Sequence, residues 1–227
     1  LQFFDHEGAA IHKIFLTENS EENNYAELVE KYKSDAITPE LTISSKQEAA
    51  PTTPDAQIDI EALYTGWAKM KDVHQFHALL KKHNCERHQA FRLIGPDYAE
   101  KLSPLALREV LEQSAKHNTS IMVFVGNRGC IQIHTGVIEN IKDMGPWINI
   151  LDPKFNLHLR EDRIAEAWLV RKPTKDGVIT TLELFDTENN SFALLCGERE
   201  MGNPENPEWA KLIEGLNRHQ PTSEAAE

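Results

Sequence analysis

The sequence predicts an α+β protein with antiparallel strands, arranged as a tandem structural repeat whose first copy is incomplete. Three observations carry this. From Ile58 to His117 the apolar residues recur at helical spacing, and from Ile121 to Phe185 they follow strand patterns instead. Tight hairpin signals separate the strands, so neighbours run antiparallel. Finally, Leu182-Glu183-Leu184-Phe185-Asp186 repeats Leu1-Gln2-Phe3-Phe4-Asp5, and Trp209-Ala210-Lys211-Leu212-Ile213 repeats Tyr25-Ala26-Glu27-Leu28-Val29 in the same order.

The elements follow in chain order. Leu1 to Lys33 reads as strand, turn, strand and helix, with His6-Glu7-Gly8 as the turn and Glu27, Leu28 and Tyr32 at helical spacing. Residues 34–57 are rich in Pro, Ser and Thr and poor in apolar side chains, which marks a linker. Ile60, Leu63, Trp67 and Met70 then form a helical stripe. In Asp72-Val73-His74-Gln75-Phe76-His77-Ala78-Leu79-Leu80-Lys81-Lys82-His83, Asp72 is an N-cap and Val73, Phe76, Leu79 and Leu80 are the apolar stripe. A helix over Glu86 to Ile94 stops at Gly95-Pro96, and Ser103-Pro104 opens another that runs to His117. Strands are expected at 121–125, 130–134, 147–151, 155–160, 164–171 and 178–185, with turns at Gly126-Asn127-Arg128-Gly129 and Lys175-Asp176-Gly177. Asn206 caps a last helix from Pro207 to Leu216. The domain expectation is therefore 1–33 as the end of a first repeat, 34–57 as linker, 58–218 as a complete second repeat and 219–227 as polar tail. By the repeat, roughly 125 residues of the first copy are expected upstream.

Charge and cysteine usage narrow the function. A formal net charge of −12 and a pI near 5.3 argue against general nucleic-acid binding, which needs Lys and Arg against phosphates. They leave room for a small basic pocket holding a dianion. No apolar run approaches the roughly 18–20 residues that span a bilayer, so membrane insertion is not expected. Cys85, Cys130 and Cys196 form no C-x-x-C pair, which suits reduced thiols and a cytoplasmic location.

The candidate sites begin with His74 and His77, three apart on one helix face. Imidazoles beside an apolar stripe suit a metal or a haem iron. H-x-x-H without a third ligand is also common on solvated helix faces, so spacing leaves both readings open. Arg87, Lys172 and Arg199 are dispersed cations that can converge on two carboxylates of a ligand or remain solvated. His134, His158 and Glu166, on three different strands, are either acid–base groups or a polar sheet face. No nucleophile with its base is visible, and no catalytic residue is assigned.

Asp72 to Phe76, Phe124 to Ile133, Trp147-Ile148-Asn149 with Asp152-Pro153, Phe155 to Leu159, and Ile164 to Trp168 through Arg171-Lys172-Pro173-Thr174 resemble the HemS/ChuS family of bacterial haem-utilisation proteins, which degrade or traffic haem. The resemblance covers essentially the whole chain. It implies two homologous halves, each a large antiparallel β-sheet flanked by helices, with haem (haem b) between them. It makes His74 the axial iron ligand, sets Arg87, Lys172 and Arg199 around the haem and its propionates, and makes Phe124 an aromatic pocket residue. His77, one turn from His74, is the substitute ligand. Cys196 stands where the family often has Tyr, which either removes a pocket hydrogen bond or supplies a soft ligand. The family's distal arginine belongs to the first half, and Arg160 is only its repeat counterpart.

The expected function is haem binding in iron utilisation, with haem degradation and iron release driven by an external electron donor. The alternative is a carrier that stores haem and delivers it to a separate haem oxygenase. The expected partners are haem, a haem oxygenase or an inner-membrane haem importer.

Overall fold

The structure is a computed structural model of the chain and describes residues 1–34, 43–45, 51–200 and 202–216. Residues 35–42 and 46–50 of the expected linker, and the whole expected tail at 219–227, lie outside the described residues. The chain divides into two compact units, residues 1–50 with 127–130, and residues 51–126 with 131–227.

The first unit contains the antiparallel pair β1 (Gln2–Phe4) and β2 (Ala10–Lys13) and the helix α1 (Glu22–Tyr32). Asp5 organises the turn between the strands, its Oδ1 accepting the N–H groups of Glu7 and Ala9 at 2.9 Å each. Arg128 pairs with Asp5 and Glu7. Helix α1 buries none of its residues, and Leu28 and Tyr32 are exposed. An apolar groove of about 410 Å³ is lined by Leu1, Phe3, Leu28, Val29, Tyr32 and Lys33.

The second unit begins with three short helices, α2 (Ile60–Ala68), α3 (Gln75–Lys82) and α4 (Arg87–Ile94). Asp59 caps α2 through the N–H of Ala62 at 2.9 Å, and Glu86 with Gln89 forms a capping box on α4. Gly95, at φ +88°, ends α4 in a conformation that side chains disfavour. After β3 (Ala99–Leu102) comes α5 (Ala106–His117), stopped by left-handed Asn118. Eight strands follow: β4 (Ile121–Gly126), β5 (Ile131–Gly136), β6 (Ile141–Met144), β7 (Trp147–Asp152), β8 (Phe155–Arg160), β9 (Glu166–Thr174), β10 (Gly177–Phe185) and β11 (Ser191–Gly197). Helix α6 (Pro207–Glu214) closes the fold, with Asn206 Oδ1 accepting from Glu208 and Trp209.

The strands form a six-stranded antiparallel sheet in the order β3-β9-β10-β11-β4-β5 and a three-stranded sheet β6-β7-β8. This bears out the α+β class and the antiparallel sheet flanked by helices. One face of the large sheet carries Leu182, Leu184, Ala193, Leu195, Ile121, Val123, Ala167 and Leu169. These residues share a core with α5, α6 and the small sheet. The other face is covered by α2, α3 and α4 around Trp67, Phe76, Phe91, Trp168, Val170 and Phe185. The close approach of α2 and α3 needs Gly66, where a Cβ would stand 2.5 Å from Leu79 Cδ1.

Several elements depart from expectation. Helix α3 starts at Gln75, because Asp72 accepts the N–H of His74 and the N–H of Gln75 bonds its carbonyl in a turn one step earlier. Ser103 and Pro104 form an entry turn, and α5 starts at Ala106. Strands β3, β6 and β11 had no clean alternation to announce them. In β11 the run Phe192-Ala193-Leu194-Leu195-Cys196 sits on a central strand with both faces largely apolar, which removes the period of two.

The hairpins β1–β2 and β10–β11 share one geometry. Phe3 pairs with His12 and Phe4 with Ala10. At a shift of 181 positions Leu184 pairs with Ala193 and Phe185 with Ser191, with the same break in register. Asp186 Oδ1 accepts from Glu188 and Asn190, as Asp5 does from Glu7 and Ala9. Gly8 and Asn189, at equivalent positions, both have positive φ.

Candidate ligand-binding face

The helix-covered face of the large sheet is only partly roofed. A single cross-strand row runs Ile133, Phe124, Leu194, Glu183, Trp168, Lys101 from β5 to β3. Trp168 lies in the core beneath the helices, and Glu183 is wholly buried. Beyond Glu183 the row opens: Leu194 and Phe124 are half-buried and Ile133 is 56% exposed. Met122, beside Phe124's row, is also half-buried, and Ile131 is exposed. Half the face is thus an apolar floor reachable from solvent.

A buried charge cluster marks the border between the roofed and open halves. Arg87, at the first position of α4, donates through Nε to Glu183 Oε2 at 2.6 Å and through Nη2 to Oε1 at 2.9 Å. Lys172 Nζ donates to Oε1 at 2.7 Å and the Thr181 hydroxyl adds a bond at 3.1 Å. Burial works to raise the Glu183 carboxyl, but Lys172 and Arg87 outweigh it and hold it well below the usual carboxylate range. Burial, together with the Arg87 charge, pulls Lys172 down. The Phe76 ring lies 4.8 Å from Lys172 Nζ and 5.2 Å from the Arg87 guanidinium carbon, so a residue of α3 packs against both cations.

His74 stands two residues before Phe76, as the N-cap of α3. Its ring is exposed, and Nδ1 lies 2.7 Å from Asp72 Oδ1. The Asp72 carboxylate against Nδ1 orients the ring and leaves Nε2 on the opposite edge, away from Asp72. Bonds from the His74 backbone and ring hold the Asp72 carboxyl low, and Arg199 contributes through space. Arg199 is half-buried and makes no hydrogen bond or ion pair among the described residues. His77 is exposed on α3. Cys196 is buried and its thiol is pushed up to about 11, so it remains a neutral thiol rather than a soft anionic ligand.

The structure therefore brings Arg87 and Lys172 together on Glu183 and Phe76, sets His74 two residues before Phe76 against Asp72, and places Phe124 two strands from Glu183 in the same row. Glu183 went unnoticed in the sequence. Its signal was a lone charge inside Thr181-Leu182-Glu183-Leu184-Phe185, where an apolar strand demands a buried cation. The trio His134, His158 and Glu166 is not assembled. His134 stacks on Phe155 with 3.8 Å between centroids, and His158 bonds Asn149 at 2.7 Å. Glu166, four strands from His134, binds His88 at 2.6 Å, Trp168 Nε1 at 2.8 Å and Lys101. His83, at the C-terminal end of α3, is partly buried, and its Nε2 lacks a partner among the described residues. Arg160 is engaged by Asp162 and lies over the Trp147 ring. Among the described residues no group of three His, Cys, Asp or Glu side chains can hold a bare metal ion, and no helix is long and apolar enough to cross a membrane.

Glu166 supplies a pH prediction. Burial raises its pKa, but the bonds from Lys101, His88 and Trp168 prevail and bring it to about 2 from 4.5. A depressed carboxylate stabilises the fold above its unfolded pKa, and that stability is lost as pH falls through the folded value. Stability is expected to drop between about pH 4.5 and 2, by on the order of 1–2 kcal/mol after screening. Urea midpoints measured across this window flatten in Glu166→Gln.

The haemin-degrading HemS.ChuX domain matches residues 1–32 and 84–216. The hemin transport protein HemS of Yersinia enterocolitica is 42% identical over 220 residues, which are 96% of this chain and 62% of that protein. The crystal structure of holo-PhuS, a heme-binding protein from Pseudomonas aeruginosa, superposes with a TM-score of 0.93 at 45% identity over 96% of this chain and 63% of its own. ChuS, an E. coli heme oxygenase, gives 0.83 at 45% identity over 95% and 63%. The chain thus spans somewhat under two thirds of the length of these relatives. Matched by that domain over most of its residues, and 42% identical to HemS over 96% of its length, the chain belongs to the haemin-degrading HemS family.

Proposed function

We propose that this chain binds haem on the open half of its large sheet, with His74 as axial iron ligand, and serves haem utilisation by degradation and iron release. The observation that carries this is the row Ile133-Phe124-Leu194, apolar and half open, ending on the Arg87–Glu183–Lys172 cluster. The donor set suits an amphiphilic dianion with a metal at its centre: an apolar floor for the ring, cations for its carboxylates and one imidazole with a free Nε2. Bound haem would supply the redox-active iron on which ring opening depends. The chain's own residues do the rest. Asp72 orients His74, Phe76 packs against the cations, and Phe124 and Leu194 keep water off one ring face. His77 is the substitute ligand, one turn along α3. The similarity to ChuS, a heme oxygenase, supports the degradative reading.

The carrier reading is favoured by a different observation, the similarity to the Yersinia hemin transport protein. A carrier would hand haem to a separate oxygenase or receive it from an inner-membrane importer. Three free cysteines, two of them buried, support a cytoplasmic location.

We also read residues 1–33 as the closing block of a preceding repeat and 58–218 as the next. The shared hairpin register supports this, as do the two separate stretches that match the family domain. The groove residues Leu1, Phe3, Leu28, Val29 and Tyr32 correspond to Leu182, Leu184, Leu212, Ile213 and Leu216, members of or neighbours to the second unit's core.

Haemin titration followed at the Soret band tests the function. His74→Ala is expected to bind at least about tenfold more weakly and with a shifted band, since the axial nitrogen is lost. Adding His77→Ala to it should remove the residual histidine signature. Equal affinity and spectrum in wild type and His74→Ala would sink the assignment. Incubation of the haem-loaded protein with a reductant separates enzyme from carrier. Ring-opened product and free iron mean the former, an unchanged Soret band the latter.

A further inference from the structure

We propose that Glu183 is a positioning residue: it pins the inner edge of Arg87 and neutralises Lys172, so that the cluster offers the porphyrin a single residual positive charge through the outer edge of Arg87. The inference rests on the haem reading and deepens it.

Three observations carry it. First, the carboxylate is fully committed. It receives Nε and Nη2 of Arg87, Nζ of Lys172 and the Thr181 hydroxyl, and its side chain has no exposed surface. The two-point bond fixes the plane of the guanidinium, not merely its charge. Second, access is unequal. The Lys172 side chain is 5% exposed and that of Arg87 35%. From the open half of the face, Arg87 is therefore the cation within reach. Third, Glu183 sits at the border, paired across the sheet with Leu194 on the open side and Trp168 on the roofed side. Two cations and one carboxylate leave one positive charge beside an apolar floor, where an uncompensated charge is costly. One ligand carboxylate at the free edge of Arg87 relieves that cost. Phe76 against both cations keeps the cluster from following the ligand outward.

The test compares haemin with haemin dimethyl ester, which lacks both carboxylate charges, on the full chain. Wild type is expected to prefer the diacid at least tenfold. Lys172→Met/Glu183→Gln retains the single positive charge but releases Arg87. Its preference should fall about tenfold, toward parity, while the Soret maximum stays at the wild-type position because His74 is untouched. Glu183→Asp keeps every charge and draws Arg87 inward. It is the second variant should the double variant fail to fold, and its preference should fall several-fold. A wild-type diacid preference in folded forms of these variants would overturn the positioning role and leave the haem reading standing. No Soret response from wild type would overturn the haem reading and this role with it.

Discussion

Trp67→Ala is expected to lower the unfolding free energy by ~3–5 kcal/mol, the range for deleting a large buried aromatic. Trp67 has no exposed surface. Its ring meets Phe76 edge-on at 4.7 Å, stacks on Tyr98 at 5.6 Å and lies 6.2 Å from Phe91. Its Nε1 donates to the Arg171 carbonyl at 2.9 Å, which ties α2 to the sheet. The alanine variant leaves a cavity among α2, α3 and β9 and an unpaired carbonyl beside it. That carbonyl adds about 1 kcal/mol. Phe76 also loses its edge partner, so the turn that carries His74 loosens. A lower urea midpoint at unchanged m-value, with weaker haemin binding, is the expected pair of results. Trp67→Phe, which fills most of the space, should lose roughly 1–2 kcal/mol.

Glu183→Leu is expected to cost a similar ~3–5 kcal/mol, for an electrostatic reason. It strands Lys172, itself buried, without a counter-charge. Arg87 is less affected because a third of its side chain faces solvent. The double variant Lys172→Met/Glu183→Leu removes both buried charges. It should recover to within about 1–2 kcal/mol of wild type, since an apolar pair of similar volume often replaces a buried ion pair at little cost. The mutant cycle therefore yields a large favourable coupling. If the double variant were as unstable as the single, packing and not charge would be the cause.

Legibility of the site followed the range of the interactions that build it. His74 and His77 were visible because a local helix pattern displays them. Arg87, Lys172 and Arg199 could be named through the family resemblance, but their grouping was not written in spacing. Arg87 and Glu183 are 96 positions apart, and only the pairing of β9, β10 and β11 beneath α4 brings them together. The same holds for the failed trio. His134 and Glu166 each lie on a strand near polar residues, yet the sheet order sets β5 and β9 four strands apart. Strand β11 was missed because its open face is apolar as well, which removes alternation, whereas Phe155 to Arg160 on the small sheet showed it plainly.

The sequence by itself determined what local chemistry sets. These are the helix stripes, most of the hairpin turns, the Asn206 cap, the recurring Leu1–Asp5 and Leu182–Asp186 blocks with their shared Asp-centred turn, and the acidic balance. Only the tertiary structure decided which half of the sheet face stays open and that Arg87 and Lys172 share one carboxylate. The physical reason is that periodicity and capping act over a few residues. Burial and charge pairing depend on strand order, and strand order belongs to the whole chain.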